Sequence, residues 1–108
     1  MSQKTMKILQ ECTPIFSILS DSNRQEILVL LFDRGEMTVS EITEHIELSR
    51  PAVSHHLKLL LNTNTVIVNK RGTERYYSLS LEKSINLLKD LIQSLEEDVG
   101  SNKQLGQS

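Results

Sequence analysis

Tryptophan is absent from the 108-residue chain, and two phenylalanines and two tyrosines make up all of its aromatic content, so a core must be built mostly from Leu, Ile and Val. The single cysteine, Cys12, rules out an internal disulfide and a Cys-rich zinc site. No apolar run approaches the roughly 20 residues a bilayer span requires, so no membrane partner is expected. The opening "MSQKTMKILQEC" lacks the apolar stretch and small-residue cleavage site of a secretory signal, and a cytoplasmic protein is expected. A glycine-rich phosphate loop, clustered carboxylates and an oriented nucleophile are all missing. The chain therefore offers no catalytic residue, reads as a non-enzyme and implies no cofactor.

What is present fits one soluble domain: 38% hydrophobic and 24% charged residues over a length that leaves little room for a second. The domain is expected over 1–98, and the polar, glycine-containing residues 99–108 read as a flexible tail. The net charge of −2 hides a segregation. Residues 49–78 carry Arg50, Lys58, Lys70, Arg71 and Arg75 against Glu74 alone, a balance of +4 that leaves −6 for the rest. Charge sorted by segment speaks to partners where the total does not.

Along the chain, Ile8, Cys12, Ile15 and Leu19 recur at i, i+4, i+7 and i+11, an amphipathic helix with Pro14 as a point of kinking or breakage. In "LSDSNRQEILVLLFDRGE", Ser20, Asp21 and Ser22 offer N-caps, Ile27, Leu28, Leu30 and Leu31 a buried face, and Gly35 a stop. "TVSE" is a capping box of Thr38 and Glu41, opening a short helix that turns Val39, Ile42 and Ile46 inward. Ser49 caps the next helix, where Pro51 is tolerated in the first turn and Val53, Leu57 and Leu60 share one face. Arg50, Ser54 and Lys58 form a row on another face with His55 beside them, which is the pattern of a helix-turn-helix. "TVIVNKRGTERYYSLS" then reads as a β-hairpin with a basic tip, sending one of Tyr76 and Tyr77 inward and the other outward. In "LEKSINLLKDLIQSLEEDV" the residues Leu81, Ile85, Leu88, Ile92 and Leu95 form a stripe widened by Leu87 and Leu91. That is more apolar surface than one small core needs, and a partner helix is its natural recipient.

Taken together, "LSDSNRQEILVLL", "TVSEITEHIELSRPAVSHHLKLL" and "GTERYYSLS" resemble the ArsR/SmtB family of bacterial winged helix-turn-helix repressors over about residues 15–95. "LSRPAVSHHLKLL" is close to that family's usual "LSQPAVSHHLKVL". The resemblance implies a mostly α fold of four helices, a small β-hairpin and a fifth helix, paired as a homodimer through its first and last helices. It also implies binding to an imperfect inverted repeat in the regulator's own promoter, with release when an effector binds. On that basis Ile8, Cys12 and Ile15 on the first helix and Ile85, Leu88, Ile92 and Leu95 on the last are the expected subunit contact. Two departures concern metals. Where metal-sensing members carry a pattern like "ELCVCDL", this chain has "EMTVSEI", with Thr38 and Ser40 in place of thiolates. Another site in the family uses Asp and His on the last helix; Asp90 is there, but no histidine follows His56. A third departure, Asn64 where the family often has Gly, keeps a residue that tolerates the left-handed conformation.

Adjacent residues on a helix point about 100° apart, so His55 and His56 cannot chelate one ion together. His45, the only other histidine, lies on the preceding helix, a spacing too weak to argue for zinc, and no metal ligand is nominated. Contact with double-stranded DNA fits the pattern better. Arg50 can donate two hydrogen bonds to guanine, Ser54 and His55 can reach base edges or phosphates, and Lys58 is placed for phosphate. Ser49 and the free N–H groups of its helix start suit phosphate, and Ser40 on the preceding helix joins this set. His56 leans toward the apolar side, to pack or hydrogen-bond internally. Lys70, Arg71 and Arg75 on the wing would add affinity with little sequence information. The alternative is a winged-helix protein-interaction module without sequence-specific DNA binding. The effector stays open between a small molecule in a dimer crevice, a response through Cys12 and a novel metal site.

Overall fold

The first four helices each begin on a side chain that accepts a backbone N–H otherwise left without a partner. The computed structural model describes residues 1–103. In it Ser2 caps α1 (Gln3–Leu19) through Thr5, and Asp21 caps α2 (Ser22–Arg34) through Asn23 and Arg24. After β1 (Met37–Thr38), the reciprocal Thr38–Glu41 capping box opens α3 (Val39–His45), and Ser49 caps α4 (Arg50–Asn62) through Ala52. The hairpin is β2 (Val66–Arg71) and β3 (Glu74–Leu79), and α5 (Glu82–Lys103) closes the chain. Gly35 ends α2 at φ 80°, and Asn64 turns the chain out of α4 at φ 58°, so Asn serves at the position where a glycine is usual.

The structure adds to the sequence reading at three points. Pro14 stands inside α1 without ending it, held by the buried Cys12 and Ile15 on either side. β1 adds a third strand to the hairpin, pairing Met37 with Tyr77 and Thr38 with Tyr76, so the sheet order is β1-β3-β2. Two residues are too few to carry a periodicity. Finally, α5 continues past residue 98 to Lys103, and the rest of the expected tail, 104–108, lies outside the described residues.

The core joins Ile27 and Leu31 of α2, Ile42 of α3, Val53, Leu57 and Leu60 of α4, and Val66 and Tyr77 of the sheet. This packing fixes α3, α4 and the hairpin as one unit. A second contact lays α1 along α5, where buried Thr5 and Ser94 hydrogen-bond to each other and Ser2 donates its backbone N–H to Asp98 (3.0 Å).

Backbone N–H groups hold the Asp21 carboxyl below the usual carboxylate range, that of Arg24 first. A carboxylate depressed in the fold adds stability that is complete above its unfolded pKa and is lost as pH falls through its folded one. Asp21→Asn keeps a capping acceptor but does not titrate there. Urea denaturation at pH 7 and in the acid range is therefore expected to show the variant losing less stability than the parent; equal losses would remove Asp21 from the acid response.

Candidate nucleic-acid interface

Because the core grips α4 by Val53, Leu57 and Leu60, its opposite face stands open. Arg50, Ser54, His55 and Lys58 are all exposed there. Arg50 Nη1 donates to the Ser40 hydroxyl at the start of α3, so the two helices of the turn are tied at the mouth of the site. One cleft of the molecule is lined by Ser40, Arg50, Ser54, Lys58 and Arg75 together with Tyr77, between α4 and the hairpin. Glu74 also contributes to its lining, at the start of β3. Ser49 sits at the N-terminus of α4 with its hydroxyl already accepting from the Ala52 N–H (3.3 Å).

Strand register sorts the wing cations. Lys70 is the cross-strand partner of Arg75, and partners share a face of the sheet. Two like charges placed opposite each other repel, which favours an anion beside them. Arg71 pairs with Glu74 on the reverse face. There its guanidinium forms an ion pair with Glu36 and stacks 4.4 Å from the centre of the Tyr76 ring. Nothing in the sequence signalled this, since Glu36 is 35 positions away. Tyr76 Oη also donates to Glu74 Oε2 (3.1 Å), and that carboxylate holds the phenol above its ordinary pKa. Of the two tyrosines that the alternation splits, Tyr77 is the inward ring, at 7% exposure.

The two adjacent histidines part company. His55 is exposed beside Ser54, while His56 is half-buried with Nδ1 3.4 Å from Nη1 of Arg24. His45 donates from Nδ1 to the Glu41 carbonyl (2.9 Å). Among the described residues, no three of His, Cys, Asp and Glu gather where a metal could be held.

On the opposite side of the molecule, the expected subunit residues divide between two faces. Cys12 and Ile15 are not free for a second copy: they are enclosed against the chain's own α5, at 0% and 8% exposure, and the Cys12 thiol points at the Leu87 carbonyl (3.9 Å). Ile8 is half-buried at the edge, and Ile18 rather than Leu19 completes the buried stripe of α1. On α5 the inward face is Ser84, Leu91 and Ser94, whereas Ile85 and Ile92 are exposed at 46% and 57%, with Leu88 and Leu95 half-buried alongside. Val99 extends that stripe, and Met6, Leu9, Phe16 and Leu19 are the large apolar residues that α1 leaves exposed.

Burial, then the Glu11 and Asp90 carboxylates, pushes the Cys12 thiol above its ordinary pKa. A thiol both closed off and protonated is a poor nucleophile. Iodoacetamide at neutral pH is therefore expected to leave Cys12 unmodified until urea unfolds the chain, by mass spectrometry; rapid labelling of the native protein would contradict this burial.

The family model described as "Bacterial regulatory protein, arsR family" matches residues 21–68, which run from the cap of α2 into β2. The transcriptional repressor SdpR of Bacillus subtilis is 36% identical, covering 79% of this chain and 97% of that protein. The arsenical resistance operon repressor of Staphylococcus aureus is 38% identical, over 88% of this chain and 86% of that one. Among solved structures, an ArsR-like transcriptional regulator from Rhodococcus sp. RHA1 superposes with a TM-score of 0.75 at 28% identity, covering 93% of this chain and 96% of the other.

Proposed function

Since the chain belongs to the ArsR family of bacterial regulatory proteins, as a DNA-binding transcriptional regulator and not an enzyme, we propose that it acts in the cytoplasm as a homodimeric repressor of an inverted-repeat operator. The observation that carries this reading is the convergence of Arg50, Ser54, Lys58 and Arg75 on one open cleft. A major groove admits one α-helix, and the N-terminal residues of a reading helix meet the base edges. Arg50 has the fork to take guanine O6 and N7, Ser54 and His55 lie within reach of neighbouring bases or phosphates, and Lys58 and Arg75 serve the phosphates on either side.

The second copy packs on the α5 stripe of Ile85, Leu88, Ile92 and Leu95, extended by Val99 and by Met6, Leu9 and Phe16 of α1. Ile85, Ile92, Val99, Met6, Leu9 and Phe16 are exposed and Leu88 and Leu95 half-buried, and an apolar stripe at this spacing is what a paired helix covers. Pairing sets two α4 helices about one turn of DNA apart, and repression follows from occupying the promoter. The effector shifts the dimer to a spacing that no longer fits both half-sites. It is not a soft metal held by thiolates on α3, because positions 38 and 40 carry hydroxyls.

The salt dependence of binding to a duplex selected by the protein tests the cleft. Each phosphate contact contributes a slope of about 0.9 in log K against log salt. Lys70→Ala with Arg75→Ala takes two cations from each chain, so for the dimer the slope is expected to fall by roughly four contacts. Arg71→Ala is expected to lower it less, since its charge is already met by Glu36. An unchanged slope in the double variant would remove the wing from the interface.

A further inference from the structure

The contact between His56 and Arg24 belongs to a larger clamp. Arg24 lies in the first turn of α2 with its side chain 14% exposed, and its guanidinium is divided among three elements. Nε donates to the Ile18 carbonyl (3.3 Å) and Nη2 to the Ser17 carbonyl (3.3 Å), both in the last turn of α1. Nη1 faces Nδ1 of His56 (3.4 Å) in the middle of α4, and Asp21 Oδ2 sits 3.8 Å from Nη2. The last carbonyls of a helix have no intrahelical backbone partner, so Arg24 takes acceptors at the end of α1, sharing that of Ser17 with the Ser20 hydroxyl (2.8 Å). A planar guanidinium offers its donors at fixed angles, and a change in the position of one acceptor is felt at the others.

The clamp also bridges two surfaces. The last turn of α1 carries Phe16, exposed and part of the face given above to the second copy. His56 follows directly after Ser54, which lines the cleft, and the exposed His55. By the chain, α1 reaches α4 only through α2, β1, α3 and three connections; through Arg24 it reaches α4 by one side chain. We infer that Arg24 is a positioning residue for DNA reading: acting through His56, it holds α4 in register with the subunit contact. The inference rests on the repressor reading for its consequence, though not for the contact itself. It also gives the adjacent histidines separate duties, His55 toward the duplex and His56 toward the scaffold.

The test uses the full chain and four variants: Arg24→Gln, His56→Ala, the two combined, and His56→Asn. The amide oxygen of Asn stands near the place of Nδ1 and accepts the same hydrogen bond. Affinity is measured for a duplex selected by the parent protein, with urea denaturation and sedimentation confirming that each variant is folded and paired. Arg24→Gln and His56→Ala are each expected to weaken binding roughly tenfold, and the combination no further than the worse of the two, because both remove one interaction. His56→Asn is expected to bind close to the parent. Losses that multiply, a His56→Ala variant that binds like the parent, or a His56→Asn variant as weak as His56→Ala would each overturn the inference. Should Arg24→Gln not fold, the pair of His56 variants still decides. Nitrogen-15 spectra of the free protein separate this from the repressor reading. An Nδ1 that accepts from Arg24 places the imidazole proton on Nε2, and Arg24→Gln is expected to disturb that tautomer. A tautomer indifferent to Arg24 removes the clamp even if DNA binding stands; a parent that selects no duplex removes the repressor reading and, with it, the role in DNA reading, even if the clamp stands.

Discussion

Ile92→Glu is expected to leave a folded, monomeric chain that no longer holds an inverted-repeat operator. Ile92 is 57% exposed in the single chain, so a carboxylate there meets water and the fold has no reason to fail. In the proposed homodimer the same position lies in the middle of the apolar stripe that the second copy covers. Two carboxylates brought together about a twofold axis would each lose hydration without gaining a partner, a cost of several kcal/mol. A monomer presents one α4 to one half-site. Losing the second, linked contact weakens binding by roughly 10²–10⁴. Sedimentation and gel shift on one preparation read both effects, with circular dichroism to confirm helicity. A variant that still pairs and shifts operator DNA would move the subunit contact elsewhere.

Arg50→Ala carries the second large effect. A bidentate arginine–guanine pair supplies about 1–3 kcal/mol of discrimination, and a dimer loses two of them. One donor of Arg50 is engaged by Ser40, but the guanidinium has five, so the fork stays available while Ser40 fixes its direction. The effect should be sequence-specific: competition among operators altered one base pair at a time is expected to show preference relaxed at one symmetric position. Arg50→Lys separates charge from geometry, because a lysine keeps the cation and loses the fork. Recovery of affinity without recovery of base preference is the expected result. Uniform weakening across all sequences in both variants would restrict Arg50 to phosphate.

Much of this architecture could be read from local patterns. Caps are local, and Asp21, Thr38 with Glu41, and Ser49 all act where the sequence placed them. The buried face of α4 follows from helical spacing, and once Val53, Leu57 and Leu60 point inward, Arg50, Ser54 and Lys58 can only point out. The hairpin showed in its change of period. Harder to read was the destination of an apolar face. Helical spacing shows that α1 and α5 have apolar sides, but not which part meets the same chain and which is left over. Cys12 and Ile15 went to the interior, and Met6, Leu9 and Phe16 stayed out. On α5, Ser84 and Ser94 are buried beside Leu91, while the isoleucines of the stripe remain exposed, an order that hydrophobicity alone would reverse. Contacts distant in sequence left no signal either. Glu36 turns Arg71 from a free wing cation into a stacked, paired one, and Arg24 takes His56 as its partner across 32 positions.

The central claim is that a pair of these chains reads duplex DNA through α4. Selection from a random double-stranded library by the purified protein at low ionic strength, followed by sequencing, tests it most directly. The predicted outcome is an imperfect inverted repeat with half-site centres about one helical turn apart, bound at two chains per duplex. Enrichment of no sequence, or of a single unrepeated element bound by one chain, would contradict it.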